Sequence, residues 1–181
     1  MEREFGTCWS CKGKKFSFDR VWAVGRYDGI LKELIHKFKF QDREYLYRPL
    51  GELMARYLAD TINQKIDLVT SVPMSKERLR ERGYNQASLL AGVIARETGI
   101  MFKDKLLYRQ RRTRPQYRLS SEERKENLRG AFTLIQKQDV REQTVLVVDD
   151  IFTTGATIEE CALTLKRGGA KRVYALVLAH G

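Results

Sequence analysis

Long apolar runs are missing from this chain. No stretch is apolar enough over enough residues to span a bilayer, and the N-terminal MEREFGTCWSC lacks the greasy centre of a secretory signal. A cytoplasmic protein without membrane insertion is the expectation. Cysteine is scarce, at three residues, which excludes a disulfide framework. The two histidines, His36 and His180, are isolated and read as structural rather than metal-ligating. Internal repeats and low-complexity tracts are absent. Acid is in deficit: 23 Asp and Glu stand against 34 Lys and Arg, a net charge of +11. That surplus favours polyanionic partners, a phosphorylated small molecule or nucleic acid, without choosing between them.

What is present suits one domain with a small appendage. The length is 181 residues and 43% of them are hydrophobic, enough to bury a sizeable core. Residues 1–25 read as a short aromatic and cysteine-bearing segment and residues 26–181 as the domain proper. After Asp28, a good N-cap, DGILKELIHKFKF places Leu31, Leu34, Ile35 and Phe38 on one helical face. A second helix begins near Pro49 with Leu50, Leu53, Met54, Tyr57 and Leu58 as its stripe. IDLVTSVP is a strand ending at Pro73, and QASLLAGVIARETG a helix with Ala87, Leu90, Ala91 and Ile94 inward and Gly99 beyond its end. The polar stretch over residues 109–130 reads as a long loop, helical near SSEERKEN. VLVV is too uniformly apolar for an exposed strand and suits a central parallel one. ATIEECALTLKRGG is the next helix and RVYALVLAH the last strand. This alternation predicts a doubly wound, mostly parallel α/β sheet with ligands beyond the carboxyl ends of its strands.

The stretch VLVVDDIFTTGAT, residues 145–157, carries the chemistry. A buried strand delivers Asp149 and Asp150 to the sheet rim, and the chain turns through IFTTGAT into a helix whose free N–H groups form an anion site. Thr153, Thr154 and Thr157 add hydroxyls, and Gly155 lets the backbone approach a bound group. A phosphate would sit in the turn, while the carboxylates accept from sugar hydroxyls or hold magnesium. Together these describe a ribose 5-phosphate site. A Walker A loop is excluded because no Lys follows the glycine, and a receiver-type acid pair because only 31 residues follow Asp150. The remaining alternative is a strand whose acids merely cap the next helix.

VLVVDDIFTTGAT resembles the signature of type I phosphoribosyltransferases, and its pairing with VPMSKERLRERGYNQASLLA resembles the ComF family, linked to bacterial competence and DNA uptake. The resemblance covers nearly the whole chain. It implies binding of 5-phosphoribosyl 1-pyrophosphate with Mg2+ through Asp149 and Asp150, the phosphate being held by Thr153, Thr154, Gly155, Ala156 and Thr157. It makes PMSKER the pyrophosphate loop, with Ser75 and Lys76 facing the leaving group. Arg82, Gly83, Asn85 and Gln86 are family-like without assigned roles. The arginine-rich stretch becomes the loop that closes over substrate, with Arg111, Arg112 and Gln116 as its active residues, Arg111 and Arg112 beside the acid pair in catalysis.

The same five arginines between Arg109 and Arg118, with Tyr108 and Tyr117, would also suit single-stranded DNA, and a plain solvated loop is the third reading. CWSC (Cys8 and Cys11) has the spacing of half a zinc site, where ComF relatives often carry four cysteines. A truncated structural Zn2+ ribbon, a site shared between chains and two ordinary thiols all stay open. Cys161, on a face with Ile158, Ala162 and Leu165, reads as core. No His, Glu or Cys presents itself as an indispensable general base, and nothing marks the acceptor. Two classes therefore stand: a phosphoribosyltransferase-like protein of competence and DNA uptake, with DNA-uptake proteins as partners, and a non-catalytic single-stranded DNA-binding protein that keeps the fold as sensor or scaffold.

Overall fold

Val145, Leu146, Val147 and Val148 offer no polar side chain to either face of a sheet, and all four are completely buried. They form the heart of a nine-residue strand, β6 (Thr144–Phe152). The structure, a computed structural model, describes residues 15–40, 43–110, 121–136 and 139–181, with only the backbone of residues 121, 122, 124 and 125. In chain order the other elements are β1 (Arg20–Arg26), α1 (Gly29–Phe40), α2 (Tyr47–Thr61), β2 (Leu68–Ser71), α3 (Lys76–Arg82) and α4 (Gln86–Thr98). Then come β3 (Met101–Phe102), β4 (Leu107–Arg109), α5 (Ser121–Leu128), β5 (Phe132–Leu134), α6 (Ala156–Arg167) and β7 (Arg172–His180). Five strands make one parallel sheet in the order β1-β7-β6-β2-β3, and β4 and β5 pair as a separate antiparallel ribbon. The doubly wound parallel sheet expected from sequence is the fold found.

The period-two geometry of β6 divides the core in two. Leu146 and Val148 face a layer with Ile35 and Phe38 of α1, Leu50, Met54 and Leu58 of α2, and Leu90 and Ile94 of α4. Val145 and Val147 face the opposite layer, where Ile158, Cys161, Ala162 and Leu165 of α6 meet Leu107, Phe132 and Leu128. Each such fully buried aliphatic side chain contributes about 1.5–3 kcal/mol relative to an exposed one. Cys161 is core, as its neighbours in sequence imply, and burial above all pushes its thiol pKa well up, so it stays neutral.

Two sequence expectations need amending. The stripe of α2 runs through Gly51 and Ala55 rather than Leu53, which is 44% exposed. The reason is the close approach of α4: a Cβ on Gly51 would lie 2.5 Å from Val93 Cβ. Residues 20–25, assigned by sequence to the appendage, lie in β1, a full partner of β7 in the sheet. The expected helix near SSEERKEN is α5. On either side of that polar stretch, β4 ends at Arg109 and β5 begins at Phe132, and their pairing brings the two ends of the segment together.

Candidate active site

β2 is shorter than β6, and the site follows from that difference. The last paired residue of β2, Ser71, sits opposite Val148, and Val72 N–H donates to the Val148 carbonyl at 3.0 Å. On its other side β6 continues to pair with β7 as far as Phe152. Asp149 and Asp150 therefore project past the end of β2 into a cleft of about 500 Å³. Val72, Pro73 and Met74 form one wall, and residues 149–158 another. Lys39 and Phe40 reach in from α1, Arg78 and Arg82 from α3, Gln86 from α4, and Arg109 from β4. This is the carboxyl edge where open α/β sheets bind ligands.

The turn after β6 is built around Gly155, the N-cap of α6, at φ 76°. That left-handed conformation suits glycine, and a Cβ here would also meet the Phe152 ring at 2.8 Å. Thr153, Thr154, Gly155, Ala156 and Thr157 all line the cleft at the start of a twelve-residue helix. The sequence expectation brought these five and both acids together, and the fold does the same.

The acids are held differently. Asp149 Oδ1 accepts from the Asp150 backbone N–H at 2.9 Å, while Asp150 Oδ2 pairs with Lys39 Nζ at 2.8 Å. Loss of hydration, reinforced by the adjacent Asp150, pushes the Asp149 pKa up from 3.8 to about 7, against the opposing pull of Lys39 and the backbone donor. Across the cleft Arg82 stacks over Phe40, its Cζ 5.1 Å from the ring centroid, and donates from Nη1 to Gln86 Oε1 at 2.8 Å. Burial lowers the Arg82 pKa, partly countered by Asp150.

Ser75 and Lys76 are arranged otherwise than expected. The Ser75 hydroxyl accepts from Arg78 N–H at 3.3 Å and caps α3, and Lys76 Nζ lies 5.7 Å from the Tyr108 ring centroid. Neither is among the residues that line the cleft, whereas Arg78 and Arg82 of the same segment are. Arg111, Arg112 and Gln116 lie outside the described residues, as do Cys8 and Cys11. Lys39 is the residue that sequence reasoning passed over. Its only signal is two lysines in the last turn of α1, which on a helix end ordinarily serve the dipole.

The acid pair is suited to magnesium as a shared ligand set rather than as a closed cage. Among the described residues no cluster of three or more His, Cys, Asp or Glu could hold a metal on its own. Two adjacent carboxylates supply hard oxygens, and Mg2+ typically takes one or two of these and completes its shell with water and substrate phosphate.

The sequence model of the phosphoribosyl transferase domain family matches residues 42–181. Competence protein F of Haemophilus influenzae is 32% identical over 178 residues, covering 96% of this chain and 78% of that protein. DNA utilization protein YhgH of Escherichia coli K12 is 34% identical over 177 residues, covering 96% and 77%. Among solved structures, the allosteric regulatory enzyme of purine biosynthesis superposes with a TM-score of 0.51 at 21% identity, a likeness of fold. That match covers 73% of this chain, which spans about a quarter (26%) of the larger enzyme. The cleft at the end of β6 thus sits in a shared scaffold, and the chain belongs to the phosphoribosyl transferase domain family and, within it, to the competence protein F group.

Proposed function

We propose that the cleft binds 5-phosphoribosyl 1-pyrophosphate with magnesium, and that the protein is a phosphoribosyltransferase-like component of bacterial competence and DNA utilization. One observation carries the reading: Asp149, Asp150 and the 153–157 turn line a single cleft where β6 outruns β2. The turn and the α6 N-terminus take the ribose 5-phosphate, and the two carboxylates take ribose hydroxyls and the metal. Arg78, Arg82 and Arg109, which line the cleft, take the diphosphate; Arg111 and Arg112, outside the described residues, are assigned to it by the family resemblance alone. For Ser75 and Lys76 to join them, Ser75 must leave its cap on α3 and Lys76 its place over Tyr108. Magnesium, when bound, supplies positive charge against the departing diphosphate oxygens. The chain's own groups orient the ribose and exclude water from it.

Binding is tested apart from turnover. Phosphoribosyl pyrophosphate with Mg2+ should raise the melting temperature, and Asp149→Asn combined with Asp150→Asn should abolish the shift. A shift that survives the double substitution refutes the site.

The names of the relatives and the charge of +11 favour a second reading, in which the same fold handles single-stranded DNA without turnover. Pyrophosphate release in the presence of a panel of bases and amines supports the first reading. Silence across the panel, with single-strand affinity falling steeply with salt, supports the second.

A further inference from the structure

The segment RERGYNQ joins α3 to α4; Gly83, Tyr84 and Asn85 brace the junction, whereas Gln86 leaves a donor unused. Gly83 ends α3 at φ 81°, its N–H donating to the Leu79 carbonyl. The Tyr84 hydroxyl donates to the Phe38 carbonyl at 2.6 Å and so ties the turn to α1. Asn85 caps α4 by accepting from Ala87 N–H at 3.2 Å, and its Nδ2 donates to the Val72 carbonyl at 3.0 Å, pinning the helix to the end of β2. Gln86 is different. Only 1% of it is exposed, it lines the cleft, and its Nε2 is buried with no hydrogen-bond partner among the described residues.

An unpaired buried amide donor costs about 1–3 kcal/mol, and here the chain does not avoid it. Arg82 Nη1 occupies the other end of the amide, on Oε1, so the group is held with its donor end unsatisfied. Arg78 and Arg82 line the same cleft, and the first turn of α4 lies beside them. A donor kept dry in a cleft that Arg78 and Arg82 also line is matched by an acceptor that carries negative charge.

The geometry points to Gln86 as a further ligand-binding residue, its Nε2 donating to an oxyanion, a phosphate or diphosphate oxygen, that enters beside Arg78 and Arg82. This rests on the phosphorylated-ligand reading of the cleft and adds to it a residue outside the 153–157 turn and outside the loop at 73–76. The side of the cleft nearest α4 thereby selects for anionic oxygen rather than for a neutral sugar edge.

Isothermal titration of wild type, Gln86→Met and Gln86→Glu tests this, with phosphoribosyl pyrophosphate and with inorganic pyrophosphate as separate probes, each with Mg2+. Gln86→Met keeps the length and removes the stranded donor. It is expected to melt at or above the wild-type temperature without ligand while losing about tenfold in affinity. Gln86→Glu keeps the acceptor for Arg82 but replaces the donor with a second acceptor, so it is expected to lose more than Gln86→Met. A residue that only packs would show the reverse pattern in Gln86→Met, a lower melting temperature and unchanged affinity, and that result overturns the inference. So does wild-type affinity in Gln86→Glu, should Gln86→Met fail to fold. Pyrophosphate binding that depends on Gln86, with no binding of phosphoribosyl pyrophosphate, upholds Gln86 and refutes the sugar ligand. Binding of neither probe by wild type refutes both.

Discussion

Lys39 Nζ, from the last turn of α1, lies 2.8 Å from Oδ2 of Asp150, and both side chains are mostly withdrawn from water, at 18% and 13% exposure. The pair is the direct link between the N-terminal helix and the acidic rim of the sheet. Removing one member of a largely buried pair strands the other. Lys39→Met and Asp150→Asn should each destabilise the protein, and the double variant should recover part of the loss. Urea denaturation of the four proteins is expected to give a coupling of about 1–3 kcal/mol. Additive single effects would mean the contact contributes nothing.

Asp149 sets a pH dependence of a definite sign. Its carboxyl holds a proton more tightly in the folded protein, with a pKa of about 7, than at the ordinary 3.8. Stability from this group is therefore fully present below about pH 4, declines as pH rises through the interval, and is lost above about 7. Asp149→Asn retains an oxygen for the Asp150 N–H and has no proton to lose. Its melting temperature should match wild type near pH 4 and exceed it progressively up to pH 7, as followed by circular dichroism. A constant offset across that range would contradict the assignment.

Gly155→Ala combines a left-handed backbone with a contact at 2.8 Å to Phe152. A loss of about 1–3 kcal/mol is expected in thermal unfolding. Adding Phe152→Leu should return only the steric part. If the double variant regains full stability, backbone conformation is not the constraint.

Asp19 fastens the chain ahead of β1 to the start of β7, its neighbour in the sheet, and to the end of α6. Its carboxylate pairs with Lys166 at 2.8 Å and Arg172 at 3.1 Å, and accepts from Val173 N–H at 2.8 Å. Burial alone would raise its pKa, but the hydrogen bonds from Lys166 and Val173 and the charges of Lys166 and Arg172 outweigh it and hold the value below 3.8. The stabilisation is present above the unfolded pKa and disappears as pH falls through the lowered folded one. Asp19→Asn should cost about 1 kcal/mol at pH 7, and the difference should close on acidification, as read by denaturant midpoints. A difference that persists at the lowest pH would argue for packing instead.

What was legible in the sequence followed from local rules. Val145, Leu146, Val147 and Val148 announced a strand covered on both faces, and Gly99 marked the end of α4, because periodicity and capping act over a few residues. The juxtaposition of Asp149 and Asp150 with the 153–157 turn was readable for the same reason. Lys39 was not, since its partner is more than a hundred residues away and only the sheet order brings α1 to β6. Leu53 was assigned inward because hydrophobicity ranks it above Gly51, whereas the space between α2 and α4 admits no side chain there. β1 escaped notice because an edge strand with arginine at both ends alternates weakly. Ser75 resembles a diphosphate ligand in sequence, yet its hydroxyl is first used to start α3.

The unequal lengths of β2 and β6 have a consequence for how this molecule adapts. The acids occupy the terminus of the sheet's central strand, so amide exchange should be slow along a line leading straight to the cleft. Recognition can then diverge among relatives through the helices standing around that point, above all α1 and α3, while the bottom of the cavity stays preformed and need not be reassembled at each encounter.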